Sequence, residues 1–426
     1  MAAPNDLRRL LLGSLLPLAA GAAHLPALAA AGREAAPERV GEALAPWQPG
    51  WLDIHHIATG RGNATFVMFP DGTSMLVDAG ASLNDLDVSV ATRPDASRRA
   101  GEWIGRYLRR HLGRAGLDGL DYLLATHLHP DHTGDVNGAS PLAANGAYRL
   151  GGVTDVAELV RIDTVVDRGY PDYDYPTRFA APFADNYRAF ITARSKAGER
   201  VETFRAGSAG QFAARGHRST RASFEVRNIA ASGVVWTGQG EATRALFPPL
   251  ASLPRADWPN ENQCSAAIRI TSGRFSYFTG ADMTSYTQDG ALAWQDVLGP
   301  VARATGPVSV ATADHHGMFD GLSADVVRSL RPQVWVIPSW HIVHPDMLQL
   351  ERMFSERLYP GERAVFATTV MRENLLANGR LTRRLRSHDG HVIVRVPPGG
   401  SRFYVAVTDN SDESDRVKLV TEPFAA

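Results

Sequence analysis

Alternating apolar and polar runs, separated by turn residues, indicate a mixture of short strands and helices. Before residue 126 the pattern predicts an amphipathic helix at residues 100–112 and strands at residues 51–57, 64–68, 74–77 and 120–125. The last third predicts a helix at residues 347–357 and strands at residues 265–270, 274–278, 307–311, 334–337, 364–367, 391–396 and 403–407. Residues 136–260 are less regular, with helices expected at 153–162 and 184–196 and strands at 163–166 and 221–229. This order predicts an α/β fold in which helices cover the faces of β-sheets.

The N-terminal segment resembles an export signal. Arg8 and Arg9 precede an apolar run at residues 10–23, and small residues at 27–29 offer a cleavage site. Glycines and prolines in the run disfavour a retained membrane anchor, and the arginine pair also resembles a twin-arginine signal. We therefore expect a periplasmic or secreted protein with a signal peptide at residues 1–30, a linker at 31–48, one domain at 49–410 and a C-terminal tail at 411–426.

Composition is that of an ordinary globular protein. Of 426 residues, 44% are hydrophobic and 21% are charged, and the formal net charge is -1. With no basic stripe, nothing indicates nucleic acid as a general partner, so we expect a small-molecule or phosphoester substrate. The pattern does not indicate an oligomeric state. The one cysteine, Cys264, cannot form an internal disulfide and is expected to be a buried structural thiol.

The densest candidate for metal chemistry lies at residues 126–135. An H-x-H-x-D-H spacing places His127, His129, Asp131 and His132 directly behind the buried strand that ends at residue 125. His127 and His129 point to one side, because alternate residues of an extended segment share a face, and the other two can serve a second ion. Imidazole and carboxylate are ligands that zinc, iron and manganese accept. The alternative, a histidine-rich surface loop, is disfavoured because three more predicted strands end in candidate ligands, at Asp78, Asp282 and His315–His316.

These segments together resemble the metallo-β-lactamase superfamily, in particular its ComEC-like branch of metal-dependent hydrolases. The matching segments are residues 76–80, 126–132, 278–282 and 315–317, with weaker matches at 262–265, 337–345 and 389–392. In the order of the family they cover residues 51–407. The resemblance implies an αββα sandwich, with two mixed β-sheets flanked by helices, in a free-standing and exported protein.

The resemblance also implies a set of metal ligands. His127 and His129 would hold one divalent ion, while Asp131 and His132 would hold its neighbour. Asp282 would bridge the two ions, since its two carboxylate oxygens can each face one cation.

Roles for five residues follow from the same resemblance and its chemistry. His316 is slightly favoured over His315 as the last ligand of the second ion, which leaves His315 to contact the substrate or a bound anion. Asp78 would accept a hydrogen bond from a ligand histidine, with a plain turn residue as the alternative. His344 would reach the cleft, although a helix-entry residue is equally compatible with the pattern. Asp131 could orient the nucleophile while it binds metal.

Such a centre implies a hydrolase that uses a hydroxide bound by two divalent metal ions, with zinc expected first and manganese or iron as alternatives. The ComEC-like resemblance favours a phosphoester or phosphodiester substrate. A lactone, a β-lactam or another carboxylic ester or amide is the alternative, because the same hydroxide attacks carbon or phosphorus. The sequence has no flavin or iron–sulfur motif, which disfavours a redox protein, and the full ligand set disfavours a non-catalytic binding module.

Some positions depart from the family pattern. The only histidine between the first motif and Asp282 is His217, which is expected in a solvated loop, so the site of His127 and His129 should be the more open one. Met318 stands where ComEC-like sequences tend to have serine, which weakens the phosphodiester interpretation. The remaining candidates are His55 and His56, expected to be structural, and Asp167, Arg168 and Tyr170, which could line the pocket or only pack.

Overall fold

The computed structural model describes residues 38–84, 86–285 and 290–426. The strands, in chain order, are β1 (Leu52–His56), β2 (Thr65–Met68), β3 (Ser74–Val77), β4 (Gly119–Ala125), β5 (Arg161–Asp167), β6 (Arg200–Thr203), β7 (Glu225–Ala231), β8 (Val234–Trp236), β9 (Thr243–Ala245), β10 (Ala267–Ser272), β11 (Phe275–Thr279), β12 (Val310–Thr312), β13 (Val334–Ile337), β14 (Ala364–Ala367), β15 (His391–Val396), β16 (Arg402–Thr408), β17 (Val417–Val420) and β18 (Phe424–Ala425). The α-helices are α1 (Ala100–Arg114), α2 (Pro130–Thr133), α3 (Val153–Leu159), α4 (Pro182–Lys196), α5 (Leu298–Thr305), α6 (Ala324–Leu330), α7 (Met347–Met353), α8 (Arg372–Ala377) and α9 (Gly379–Thr382).

The strands of the described residues form two mixed sheets. The first sheet has the order β17-β16-β15-β1-β2-β3-β4-β5-β6, with β18 beside β16, and the second has the order β14-β13-β12-β11-β10-β7-β8-β9. Strands β3 to β6 run parallel in the first sheet, and β11 to β14 run parallel in the second. Because ligand sites in such sheets form beyond the carboxyl ends of parallel strands, two sets of loops are available at these strand ends.

Side-chain alternation places each sheet between two apolar layers. In β3, Met75 and Val77 join a core shared by both sheets, whereas Leu76 faces the layer that includes α1, α3 and α4. The outer face of the second sheet packs against α5, α6 and α7, for example at Val301 and Val327. The arrangement is therefore helix, sheet, sheet, helix, which confirms the αββα sandwich of two mixed sheets expected from the sequence.

The domain extends past the boundary expected at residue 410. Residues 417–420 form β17, an edge strand of the first sheet, and Asp415 is buried against α1 through Arg110 and Arg114. The expected tail is held against the domain because its acidic side chains form ion pairs with arginines of α1. At the other end, residues 38–48 also pack on the sheet instead of forming a free linker, with Glu38 buried against Arg395.

The middle of the chain is more ordered than the pattern indicates. It supplies β6, β8 and β9, and the expected helix at 153–162 ends earlier, so that β5 begins at Arg161. The predicted signal peptide and the first part of the linker, residues 1–37, lie outside the described residues. No described helix has both the length and the apolar character needed to cross a membrane.

Candidate metal centre

Strand β3 leads into Asp78, whose carboxylate is fully buried and whose backbone adopts the left-handed conformation (φ 62°). One carboxylate oxygen accepts a hydrogen bond from the Thr126 backbone N–H at 2.8 Å. The other accepts from Thr126 Oγ1 at 2.9 Å, Asn63 Nδ2 at 3.2 Å and His132 Nδ1 at 2.7 Å. Asp78 therefore holds a histidine of the H-x-H-x-D-H segment instead of serving only as a turn residue.

Backbone contacts hold the same segment from its other side. Asn63 N–H donates to the Asp131 carbonyl and Ala79 N–H donates to the His132 carbonyl, each at 2.8 Å. A side chain at Gly80 would meet the Asp131 carbonyl oxygen at 2.0 Å, so only glycine permits this close approach. The loops after β1 and β3 thus fix where Asp131 and His132 lie.

The predicted ligands meet in two groups that share one residue. Asp131, His132, Asp282 and His316 offer ligand atoms that all lie within 4.8 Å of one another, and His127, His129 and Asp282 form a second such group. Asp282 Oδ1 lies 3.0 Å from His132 Nε2, while Asp282 Oδ2 lies 3.6 Å from His316 Nε2 and 3.7 Å from His127 Nε2. The carboxylate of Asp282 therefore stands between both groups, where the sequence places a bridging ligand.

Hydrogen bonds at the far side of each ring determine which nitrogen faces the centre. His316 Nδ1 lies 2.9 Å from the Pro338 carbonyl oxygen, which only accepts, so Nδ1 carries the proton. His132 Nδ1 donates to Asp78 in the same way. Thr126 Oγ1 already donates to Asp78, so it accepts from His127 Nδ1 at 3.1 Å. In each of these rings Nε2 is therefore the nitrogen that faces the cluster, which is the arrangement of a metal ligand.

His315 and His316 follow β12 in a tight turn. Both residues adopt the left-handed conformation, with φ of 49° and 52°, and His315 N–H donates to the Ala281 carbonyl at 2.9 Å. His315 Nδ1 pairs with Asp320 at 2.6 Å, and its Nε2 lies 3.2 Å from Asn262 Nδ2 and 3.9 Å from Asp282 Oδ2. His316 belongs to a ligand group, whereas His315 lies beside the cluster.

Burial and neighbouring charge divide the histidines into two kinds. Burial lowers the pKa of His127 well below its ordinary value and also lowers that of His129. Burial opposes protonation of His132 and His316 too, but the carboxylates of Asp282 and Asp131 outweigh it. They raise the pKa of His132 well above its ordinary value and that of His316 to about 9. The carboxylates of the second group therefore favour a bound cation, which can be a proton or a metal ion.

His344 lies against the second group without joining it. Its ring stacks on His316 with centroids 5.0 Å apart, and Trp340 meets His316 edge-on at 6.0 Å. The Nδ1 atom of His344 and the Nε1 atom of Trp340 are buried with no hydrogen-bond partner within the described chain. On the side of the first group, Phe179 meets the His129 ring edge-on at 5.6 Å. Aromatic walls therefore border both groups.

The remaining candidates lie away from the centre or support it indirectly. His217 pairs with the buried Asp121 at 2.8 Å and joins neither ligand group. Asp167 accepts hydrogen bonds from the backbone and from two tyrosines at the end of β5, so it stabilises a turn. Arg168 forms a buried pair with Glu261. Three further residues are packed in the core as expected, namely His55, His56 and Cys264, while Tyr170 is partly exposed and shares a weak contact with Ser195.

The donor set is compatible with divalent metal binding. Six imidazole or carboxylate groups lie together, each buried or partly buried, and three of the rings are already fixed with Nε2 directed inward. His132 Nε2 and His316 Nε2 face each other at 3.2 Å, a repulsive contact for two lone pairs that a shared cation would relieve. The first group has two histidines and the shared Asp282, one protein ligand fewer than the second. His129 of the first group and Asp131 of the second keep some exposure, so each group has one partly exposed ligand.

An αββα sandwich with clustered histidines and aspartates at its strand ends can hold divalent metal ions. Residues 58–149, which include β2 to β4 and the H-x-H-x-D-H segment, match the family model described as the metallo-beta-lactamase superfamily. The match covers that segment alone, and together with the αββα fold of the described residues it supports a metal-dependent hydrolase. A comparison with curated protein sequences finds no significant match.

Three solved structures are similar to parts of this chain. A protein of Parabacteroides distasonis described as a metal-dependent hydrolase has 10% identity and a TM-score of 0.32, over 74% of this chain and 92% of its own. A motif mutant of a metallo-β-lactamase from Cronobacter sakazakii has 12% identity and a TM-score of 0.30, over 63% of this chain and 78% of its own. Human tRNase Z, short form, has 10% identity and a TM-score of 0.29, over 66% of this chain and 91% of its own.

Sequence reasoning missed the residues that hold the ligands from outside. Glu261 and Asn63 are not metal ligands, and no spacing rule relates them to the histidine segment. Asn262 falls in a segment that weakly resembles the family, which was the only signal for it. Asp320 follows His315 by five residues and could have been suspected as its partner because of that short separation.

Proposed function

We propose that the protein is an exported hydrolase that acts on a phosphoester or phosphodiester with two divalent metal ions, zinc in the first instance. The observation that carries the proposal is Asp282, whose single carboxylate belongs to both ligand groups. Two ions held on either side of it would supply hydroxide at neutral pH and polarise the scissile bond. The choice of phosphorus over carbon rests on the likeness to ComEC-like sequences.

Side chains around the two ligand groups can assist this reaction. Asp131, half-buried at the mouth of the cluster, can orient an attacking water as well as bind metal. The Asn262 amide donates to His315 Nε2, which lies beside Asp282, and its second N–H can donate a hydrogen bond to a substrate oxygen. The buried rings of Trp340 and His344 exclude water beside the second group.

A substrate panel with and without a chelator tests this function. Aryl phosphodiesters and phosphomonoesters are compared with lactones, carboxylic esters and a chromogenic β-lactam, all with metal-replete protein. The proposal expects turnover of a phosphorus substrate that chelation abolishes and added zinc restores. Turnover confined to the carboxylic substrates would replace the first choice by its alternative, and turnover that resists chelation would contradict the metal mechanism.

Location requires its own test. The arginine pair and apolar run before residue 24 support export, and the proposal expects the native protein in the periplasmic or extracellular fraction with residues 1–30 removed. Mass spectrometry of the mature N-terminus measures this directly. An intact N-terminus on protein recovered from the cytoplasm would contradict export.

A further inference from the structure

A buried glutamate holds the peptide between the two histidines of the first ligand group. The backbone N–H of Leu128 donates a 2.7 Å hydrogen bond to Glu261 Oε1. Leu128 separates His127 from His129, so its peptide plane sets the direction in which both rings leave the chain. The bond spans 133 positions in sequence, and it joins this segment to the loop that precedes β10.

Arg168 in turn holds Glu261 in place. Its Nε donates to Glu261 Oε1 at 2.9 Å, and its Nη2 donates to Glu261 Oε2, a two-point pairing that fixes the carboxylate plane. Both side chains are almost completely buried, with exposed fractions of 6% for Arg168 and 3% for Glu261. Arg168 Nη1 also donates to the Tyr175 carbonyl at 3.1 Å. The pair therefore joins the loop after β5 to the segment before β10 and to the histidine segment.

The contacts of Glu261 distinguish it from a metal ligand. Both of its oxygens are already occupied, Oε1 by Leu128 N–H and Arg168 Nε, and Oε2 by Arg168 Nη2. It belongs to neither ligand group among the described residues. A carboxylate used in this way acts on the ligands through the backbone.

The first group is the one in which such support matters most. It has two histidines from one three-residue stretch and shares Asp282 with the second group, so no further protein ligand corrects an error in their placement. The second group draws ligands from three separate loops, and its rings are fixed by Asp78 and by the Pro338 carbonyl. A shift of the Leu128 peptide would therefore disturb the first group and leave the second intact.

We propose that Glu261, fixed by Arg168, is a positioning residue that sets the geometry of the first metal site. This inference rests on the metal centre of the proposed function, although not on its substrate. This role accounts for the two buried charges beside the site. The Glu261 carboxylate gives the Leu128 N–H a strong acceptor, and pairing with Arg168 offsets the desolvation cost of burying that carboxylate.

The test compares Glu261→Ala and Glu261→Gln with a buried pair elsewhere. Zinc affinity of each of the two sites is measured by chelator competition, and cobalt substitution reports ligand geometry through its visible absorption. Glu261→Ala should weaken the first site 10- to 100-fold and change the cobalt spectrum, while the second site keeps its affinity. Glu261→Gln should recover part of this loss, because the amide oxygen still accepts from Leu128 N–H.

Asp53→Asn provides the matched control. Asp53 is buried and paired at two points with Arg395, as Glu261 is with Arg168, but it lies in β1 and contacts no ligand. The control should lose stability without a change in zinc affinity or in the cobalt spectrum. The inference is overturned if folded Glu261→Ala binds both ions like the wild type, or if it and Asp53→Asn lose affinity at both sites alike. A wild type that binds two ions but hydrolyses no phosphorus substrate would contradict the proposed function alone.

Discussion

Replacing Asp78 by asparagine tests whether the end of β3 fixes a metal ligand. The carboxylate accepts four hydrogen bonds, and the amide can accept on one side only. With its oxygen toward His132, the amide group faces the Thr126 N–H as a second donor. With its oxygen toward Thr126 N–H, it faces the proton of His132 Nδ1. One buried donor is left unsatisfied either way.

The expected magnitudes follow from this count. An unsatisfied buried donor, together with weaker bonds to a neutral acceptor, should lower the free energy of unfolding of the metal-free protein by about 3 kcal/mol. Affinity for the second ion should fall about 10- to 100-fold, because His132 is no longer held in the tautomer that directs Nε2 inward. Urea unfolding without metal measures the first effect, and zinc titration against a chelator measures the second.

Asp167→Asn is the control, because Asp167 also ends a strand, is buried and accepts four hydrogen bonds. Its substitution should cost similar stability and leave the affinity for the second ion unchanged. Zinc affinity of Asp78→Asn equal to that of the wild type would refute the role assigned to Asp78. Equal losses of affinity in both variants would reduce that role to general stability.

Two further predictions concern regions outside the centre. Asp415→Asn should lower the free energy of unfolding by about 2 kcal/mol. The reason is that Arg110 and Arg114, which are partly exposed, lose the buried carboxylate with which they pair. Urea unfolding equal to that of the wild type would contradict the view that residues 411–426 belong to the domain. Burial lowers the pKa of His56 and of His391 to about 3. Between pH 3 and 6.5 the folded protein therefore binds fewer protons than the unfolded chain does. The free energy of unfolding should fall as the pH drops below 6.5. At pH 5.5 each histidine should lower the free energy of unfolding by about 1.4 kcal/mol. In His391→Asn the free energy of unfolding should therefore change less between pH 7.5 and 5.5 than it does in the wild type. An unchanged difference would contradict the neutral state of the His391 ring.

The predictable part of the site follows from strand ends. His127, Asp282 and His316 each follow a short buried run, and such runs can be read from apolar patterning alone. Parallel strands bring their carboxyl ends to one edge of a sheet, so the loops after β11 and β12, which carry Asp282 and His316, could be expected to meet, whereas His127 follows β4 of the other sheet. The spacing H-x-H-x-D-H added the division into two ligand groups, which the geometry of the cluster reproduces.

The unpredicted part depends on single long-range contacts. Glu261 reaches Leu128 across 133 positions, and no periodicity links a buried carboxylate to one backbone N–H. The chain after residue 410 was expected to be a tail because its many polar residues obscure the pattern of the short edge strand β17. Asp415 is buried there only because α1 presents Arg110 and Arg114 to it, a match between two surfaces that neither segment reveals alone.

Metal content of purified, metal-replete protein tests the central claim most directly, with wild type and Asp282→Ala measured side by side after dialysis. A carboxylate shared by both ligand groups predicts two divalent ions per wild-type chain and a loss of more than one ion on its removal, in protein that remains folded by circular dichroism. A wild type that saturates at one ion, or an Asp282→Ala variant that retains two at wild-type affinity, would contradict the two-ion centre.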